Sequence, residues 1–118
     1  NALGMNENVK CYGWREDIYD FLQAMDVFCL PSIFEGMPIS AVEAQAAGLR
    51  CLVSDAVAHE IDLTGLVQFL PLEQEQWTDA IANTKEDRNR GRMDEWFDRA
   101  GYSMDASVRK LMRLYEAV

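Results

Sequence analysis

The chain is 118 residues long, 49% hydrophobic and 26% charged, which suits one domain that buries roughly two thirds of the surface its unfolded form would expose. Its formal charge of −9 opposes a polyanionic partner such as nucleic acid or an anionic membrane surface, since either would favour an excess of Lys and Arg. No apolar run approaches the roughly 18 residues that cross a bilayer, and the first residues lack the basic-then-apolar pattern of a signal peptide, so a soluble, cytoplasmic chain is expected.

In chain order, residues 9–12 read as a short strand closed by Gly13, and 17–25 as a helix with Ile18, Phe21, Leu22 and Met25 at helical spacing. Residues 27–30 are apolar throughout, as a strand covered on both faces should be, and 39–47 form an alanine-rich helix that stops at Gly48. Residues 50–54 are a third strand, 55–62 hold a short helix, and 66–70 are a fourth strand. This alternation predicts an α/β fold, a Rossmann-like parallel sheet of about four strands with flanking helices.

After Pro71 the pattern is helical only: 73–83 anchored by Trp77 and Ile81, 85–100 by Trp96 and Phe97, and 105–117 with Val108, Leu111, Met112 and Tyr115 on one face. The whole of 1–118 is thus expected to be a single domain, α/β over about 1–72 with a helical C-terminal tail over 73–118. Four strands are few for a doubly wound nucleotide-binding fold. No Gly-x-Gly-x-x-Gly turn occurs, and the chain opens without Met, almost at once in a strand. An N-terminal part is therefore expected to be missing.

Cys11, Cys29 and Cys51 each sit in an apolar or strand-like run and in no Cys/His cluster, which predicts buried reduced thiols. His59 is the only histidine, so a histidine-rich metal site or a Ser-His-Asp triad is hard to build, and no metal is expected. Arg88, Arg90 and Arg92 alternate with polar residues and glycine and read as a solvated surface. Ser54 and Asp55 end a strand at the edge where ligands bind in such folds, but equally suit turn or capping chemistry. His59 and Glu60 read as the start of a surface helix.

The most informative segment runs from Pro31 to Gly48, Pro-Ser-Ile-Phe-Glu-Gly-Met-Pro-Ile-Ser-Ala-Val-Glu-Ala-Gln-Ala-Ala-Gly, with Glu35 before a helix and Glu43 within it. A helix opening near Pro38 or Ile39 leaves backbone N–H groups unpaired at its positive end, a natural seat for a diphosphate. Gly36 removes a side chain that would block close approach, and Pro38 suits the first helical turn because it has no N–H to lose there. Glu43, four to five residues into the helix, is roughly 6 to 8 Å along the axis from its start. A carboxylate there can accept hydrogen bonds from both ribose hydroxyls, while Glu35 meets the sugar that the nucleotide carries. Ala41, Ala44, Ala46 and Ala47 let the helix approach the sheet and bring Glu43 near its carboxyl edge.

These residues, together with Ser54-Asp55 downstream and Val9-Lys10-x-Tyr12-Gly13-Trp14 and Ala24-Met25-Asp26-Val27 upstream, resemble the C-terminal donor-binding domain of the family 4 (group 1) retaining glycosyltransferases of the GT-B fold, of capsule or exopolysaccharide type. The resemblance implies that the chain is half of a two-domain architecture whose N-terminal acceptor domain is absent. The parent would transfer a hexosyl group from a UDP- or GDP-type nucleotide diphosphate sugar to a polysaccharide or lipid-linked acceptor, with no other cofactor and no metal. Carried onto this sequence, Glu35 is the catalytic residue that orients the donor sugar. Glu43 binds ribose, and Gly36, Met37, Pro38 and Ile39 line the sugar and phosphate site. Gly13, Trp14 and Arg15 lie near the nucleobase. The partners implied are the nucleotide-sugar donor and the N-terminal domain of the same protein, with room for peripheral membrane association of the parent and no nucleic acid.

The family's basic residues for the diphosphate would lie upstream of Asn1, so the fragment alone is expected to be inactive. Arg50 stands where proline often follows the Gly48 turn. Two other readings keep the fold but change its use: a non-catalytic Rossmann-like binding or scaffold domain, and a GT-B-fold epimerase or phosphorylase relative.

Overall fold

The computed structural model describes residues 2–85, 90 and 93–117. The chain forms α1 (Ile18–Gln23), β1 (Val27–Leu30), α2 (Ile39–Ala46), β2 (Arg50–Ser54), a 3₁₀ turn (His59–Ile61), β3 (Val67–Leu70), α3 (Gln74–Ala82), α4 (Asp94–Arg99) and α5 (Met104–Glu116). The strands make a parallel sheet of order β1-β2-β3, with Phe28 opposite Cys51 and Val53 opposite Phe69. This is the α/β, Rossmann-like fragment expected, with three strands rather than four among the described residues.

Residues 9–12 are the missing strand. They form no regular element and pair with no strand among the described residues, the Val9 N–H donating instead to Met5 O at 3.1 Å, and Val9 and Tyr12 stay half exposed. A parallel strand is stabilised only by a neighbour that takes its N–H and C=O groups, and apolar residues alone do not supply one.

Side chains alternate across a strand, so one face of the sheet carries Phe28, Leu30, Cys51, Val53, Val67 and Phe69. These pack with Ala41, Ala44 and Ala47 around α2, with Leu49, Val57 and Ile61, and with Leu22 of α1. That face holds the core. On the other face Leu52, Ser54 and Leu70 are buried, whereas Cys29 and Gln68 are exposed. β2, flanked on both sides, is therefore covered as a central strand, but β1 at the edge is not, and Cys29 lies open on its outer face. Cys11 is exposed as well, so only Cys51 is the buried thiol expected. Burial pushes the Cys51 thiol up to about 12, with the Asp62 and Cys29 charges adding to it.

α2 ends in a Schellman turn. The Gly48 N–H donates to Gln45 O at 2.9 Å and the Leu49 N–H to Ala44 O at 3.0 Å, with Gly48 in the left-handed region at φ 73°. Arg90 lies across this glycine, and its Nη1 donates to Leu22 O (2.9 Å) and Gln23 O (3.1 Å), the carboxyl end of α1. A cation there complements the helix dipole. Arg90 is thus a packing residue and not the solvated side chain expected; Arg88 and Arg92 lie outside the described residues.

The helix expected over 85–100 is shorter. Lys85, Arg90 and Met93 are not helical, α4 begins at Asp94, and the intervening positions 86–89, 91 and 92 lie outside the described residues. α5 follows, capped by Ser103, whose Oγ accepts from the Ala106 N–H at 3.0 Å and donates to Asp98 Oδ1 at 2.7 Å. Arg109 reaches the same Asp98 oxygen at 2.8 Å. These two bonds, Ser103 first, hold the Asp98 carboxyl below its ordinary range. The apolar face of α5 is open, with Leu111 and Met112 each 56% exposed. Among the described residues no helix is long and apolar enough to cross a membrane.

Candidate functional site

In a parallel sheet every strand ends at the same edge, so the loops after β1, β2 and β3 converge there, as do the starts of α2, the 3₁₀ turn and α3. The loop after β1 carries Glu35, Gly36, Met37 and Pro38 directly into α2, and Glu43 follows in its second turn. From Ile39 to Glu43 the helix rises about 6 Å. Five of the expected site residues, Glu35 to Ile39, thus form one continuous rim, with Glu43 beyond it.

Pro38 is buried and stands at the N-cap, one position earlier than first-turn geometry requires; its carbonyl accepts from the Ala41 N–H (3.1 Å) and Val42 N–H (3.4 Å). A proline cap offers no side-chain acceptor, and no acidic residue lies in the first turn. The N–H groups of Ile39 and Ser40 consequently have no partner among the described residues, and the positive end of the dipole is uncompensated. A methyl built on Gly36 would meet nothing within 4 Å, so nothing in the chain's own packing excludes a side chain there. Met37 and Ile39 are 47% and 69% exposed, and Ile33 and Phe34, beside Glu35, 84% and 85%.

Glu43 comes off α2 in an unexpected direction. It is two residues from both Ala41 and Gln45, which are fully buried, and at about 100° per residue this puts it roughly 160° round the axis from each. Ala41, Ala44 and Ala47 do bring the helix close to the sheet, as expected, whereas Ala46 is exposed, and Glu43 is carried on the outer side of the helix and is exposed. A ligand that uses both glutamates has to pass from the loop over the first turn to the outer flank of α2.

Gly13, Trp14 and Arg15 belong to a separate segment before α1. Arg15 is engaged there: Nε donates to Asp17 Oδ1 at 2.7 Å, Nη2 pairs with Asp17 Oδ2, and the guanidinium stacks 4.9 Å from the Phe21 ring centroid and 5.6 Å from that of Tyr12. The Arg15 hydrogen bond holds the Asp17 carboxyl below its usual range and raises the guanidinium. Of the three residues, Trp14 is the one with a free aromatic face, 84% exposed.

The open alternatives at the second strand end separate. Ser54 is buried and its Oγ accepts from the Ala56 N–H at 3.2 Å, which is turn chemistry, whereas the Asp55 side chain is exposed. His59 opens the 3₁₀ turn as a surface residue and stacks on Phe69 with ring centroids 3.9 Å apart. A cleft of about 770 Å³ opens elsewhere, where Asp26, Arg50 and Leu66 enter the strands, and Asp79, Lys85 and Arg90 also line it. It contains none of the expected site residues, and its mixed charges create no single-sign field for an anion, so the strand-end rim is the better candidate. No group of three His, Cys, Asp or Glu side chains that could hold a metal occurs among the described residues.

Sequence reasoning overlooked Gln45. It is fully buried and its amide makes four hydrogen bonds, to Ala41 O, Ile61 O, the Leu63 N–H and the Thr64 hydroxyl. The only sign in the sequence is a polar residue amid the alanines of an apolar helix face.

The chain is 34% identical over 113 residues to the glycosyltransferase EpsF of Bacillus subtilis, a match covering 92% of this chain and 29% of that protein. Over 53 residues, 45% of the chain and 14% of the relative, it is 47% identical to the UDP-Gal:α-D-GlcNAc-diphosphoundecaprenol α-1,3-galactosyltransferase of Escherichia coli. Over 47 residues, 40% of the chain and 12% of the relative, it is 51% identical to the N,N'-diacetylbacillosaminyl-diphospho-undecaprenol α-1,3-N-acetylgalactosaminyltransferase of Campylobacter jejuni. The chain therefore spans less than a third of the length of these relatives. No solved structure matches it. Residues 1–87 match the family model described as glycosyl transferases group 1, and the chain belongs to that family.

Proposed function

We propose that the chain is the donor-binding portion of a retaining glycosyltransferase of the two-domain GT-B type, which moves a hexosyl group from a UDP- or GDP-sugar to a lipid-linked or polysaccharide acceptor. Family membership supports glycosyl transfer. The names of the Escherichia coli and Campylobacter jejuni relatives, both of which specify diphosphoundecaprenol-linked acceptors, favour the lipid-linked class. The observation that carries the donor role is the start of α2: an uncapped N-terminus with no acid in its first turn, entered through Glu35-Gly36-Met37-Pro38.

In this reading the diphosphate accepts hydrogen bonds from the Ile39 and Ser40 N–H groups, and the dipole of α2 stabilises the charge that develops as the bond from sugar to phosphate breaks. Glu43, one turn on, accepts from the ribose hydroxyls on the outer flank, and Glu35 orients the hexose at the loop. Trp14 stacks on the nucleobase, because Arg15 is committed to Asp17. Side-chain cations for the diphosphate come from the rest of the protein, together with the acceptor domain. Work in the cytoplasm, where nucleotide sugars are substrates, follows from the same reading.

The test is calorimetric titration of UDP and GDP into the full-length protein and its Glu43→Ala variant. One nucleotide should bind and lose about tenfold in affinity, the equivalent of about 1.4 kcal/mol. Unchanged affinity in the variant would contradict the ribose role.

A further inference from the structure

Gln45 uses every hydrogen-bonding valence of its amide. Nε2 donates to Ala41 O at 3.2 Å and to Ile61 O at 2.8 Å, while Oε1 accepts from the Leu63 N–H at 3.0 Å and from Thr64 Oγ1 at 2.9 Å. Two donors meet two carbonyls and one oxygen meets two donors, so the group has one orientation and no spare valence. Three of these partners lie on the 61–64 segment that leads from the 3₁₀ turn into β3. The amide therefore fastens α2 to the neighbouring crossover.

What else fixes α2 on the sheet is mostly methyl groups. Ala41, Ala44 and Ala47 are 0%, 0% and 3% exposed, and such short side chains interdigitate little with the strands beneath. A helix resting on methyls meets few steric stops to rotation or sliding, whereas four directed hydrogen bonds supply them.

We infer that Gln45 is a positioning residue for nucleotide binding: with Thr64 it sets the rotation of α2 and hence the place of Glu43 and of the helix's free N–H groups. The inference rests on the donor reading above. Glu43 leaves the helix on the side opposite Gln45, so any rotation is delivered to it. With a helix diameter of about 10–12 Å, a turn of about 20° moves an atom at the rim by about 2 Å, enough to break a hydrogen bond whose donor–acceptor distance spans only about 2.7–3.2 Å.

The experiment titrates UDP and GDP into the full-length protein, well below its melting temperature, for Gln45→Leu, Thr64→Val, Thr64→Ser and Glu43→Ala, with Leu22→Ala as a destabilised control. Leu22 is a core residue of α1 and 6% exposed. Gln45→Leu should weaken nucleotide binding at least tenfold and Thr64→Val about fivefold. Thr64→Ser, which restores the hydroxyl, and Leu22→Ala should stay within twofold of the parent. Thr64→Val is the decisive variant if Gln45→Leu fails to fold. If Glu43→Ala loses affinity while Thr64→Val and any folded Gln45→Leu keep it, the positioning role is wrong and the donor reading stands. If Glu43→Ala keeps full affinity, the ribose role fails and the inference, which places Glu43 for that role, falls with it. Equal losses in Leu22→Ala and Thr64→Val would reduce Gln45 to general stability and also overturn it.

Discussion

Two glycines twelve positions apart, Gly36 and Gly48, make opposite predictions for the same substitution. At Gly48 an alanine has to adopt φ 73° and set its Cβ 3.0 Å from Arg90 Cβ and 3.7 Å from Arg90 Cα. The left-handed conformation costs roughly 1–2 kcal/mol. Arg90 can relieve the overlap only by moving, which loosens its bonds to Leu22 O and Gln23 O at about 1 kcal/mol each. Gly48→Ala should therefore destabilise by about 2–4 kcal/mol, a large share of the roughly 5–15 kcal/mol that holds a domain together. At Gly36 the φ is not left-handed and the added methyl meets nothing within 4 Å. Gly36→Ala should be neutral in stability, or gain about 0.4–1 kcal/mol through the unfolded chain. If a diphosphate docks over that backbone, however, the methyl intrudes on it, and nucleotide affinity should fall at least tenfold. Urea midpoints and nucleotide calorimetry on the two variants form the assay. A Gly36→Ala protein that keeps its affinity would refute the close-approach reasoning, and a Gly48→Ala protein that melts like the parent would refute the account of the turn.

Two further outcomes follow from the titratable groups. With a disulfide-exchange reagent near pH 8, Cys11 and Cys29 should react in the native protein, while Cys51, fully buried and pushed up to about 12, should react only on unfolding; thiol counts with and without denaturant check this. Asp98 has a lowered folded value, so its contribution is present above the unfolded aspartate value of about 3.9 and is lost as pH falls through the folded value. The α4–α5 corner should loosen in acid below about pH 4, seen as faster amide exchange at Ala106, and Asp98→Asn should remove that pH dependence.

β1 and β2 both matched their expected limits, because an apolar run ending at a turn marks where a strand lies, whereas the expected burial on both faces held only for β2, which has neighbours on both sides. The same pattern misled at 9–12 and at Cys29, since pairing partners and edge position are not properties of the segment itself. α2 was legible from its alanines and the Gly48 stop, α3 from the four-residue spacing of Trp77 and Ile81, and α5 from 3.6-residue periodicity, whereas the extent of α4 was not, because charge-rich sequence without caps marks no boundary. At the candidate site, the loop position of Glu35 and the start of α2 near Pro38 or Ile39 were legible in the sequence. The outward direction of Glu43 was recoverable from helix geometry once Gln45 was known to face inward. That knowledge depended on Ile61, Leu63 and Thr64, residues too far along the chain for local pattern to connect.

The central place of β2 also bears on how the chain folds. Neither β1 nor β3 has a ladder partner until β2 is laid down, and each joins it only across an intervening crossover. The closure entropy of both loops must be met before either ladder gains anything, so β2 with α2 forms the natural nucleus, and substitutions there should slow folding more than they hasten unfolding. α5, which packs mainly on α4, stands outside that nucleus and can add its stability late, without setting the rate.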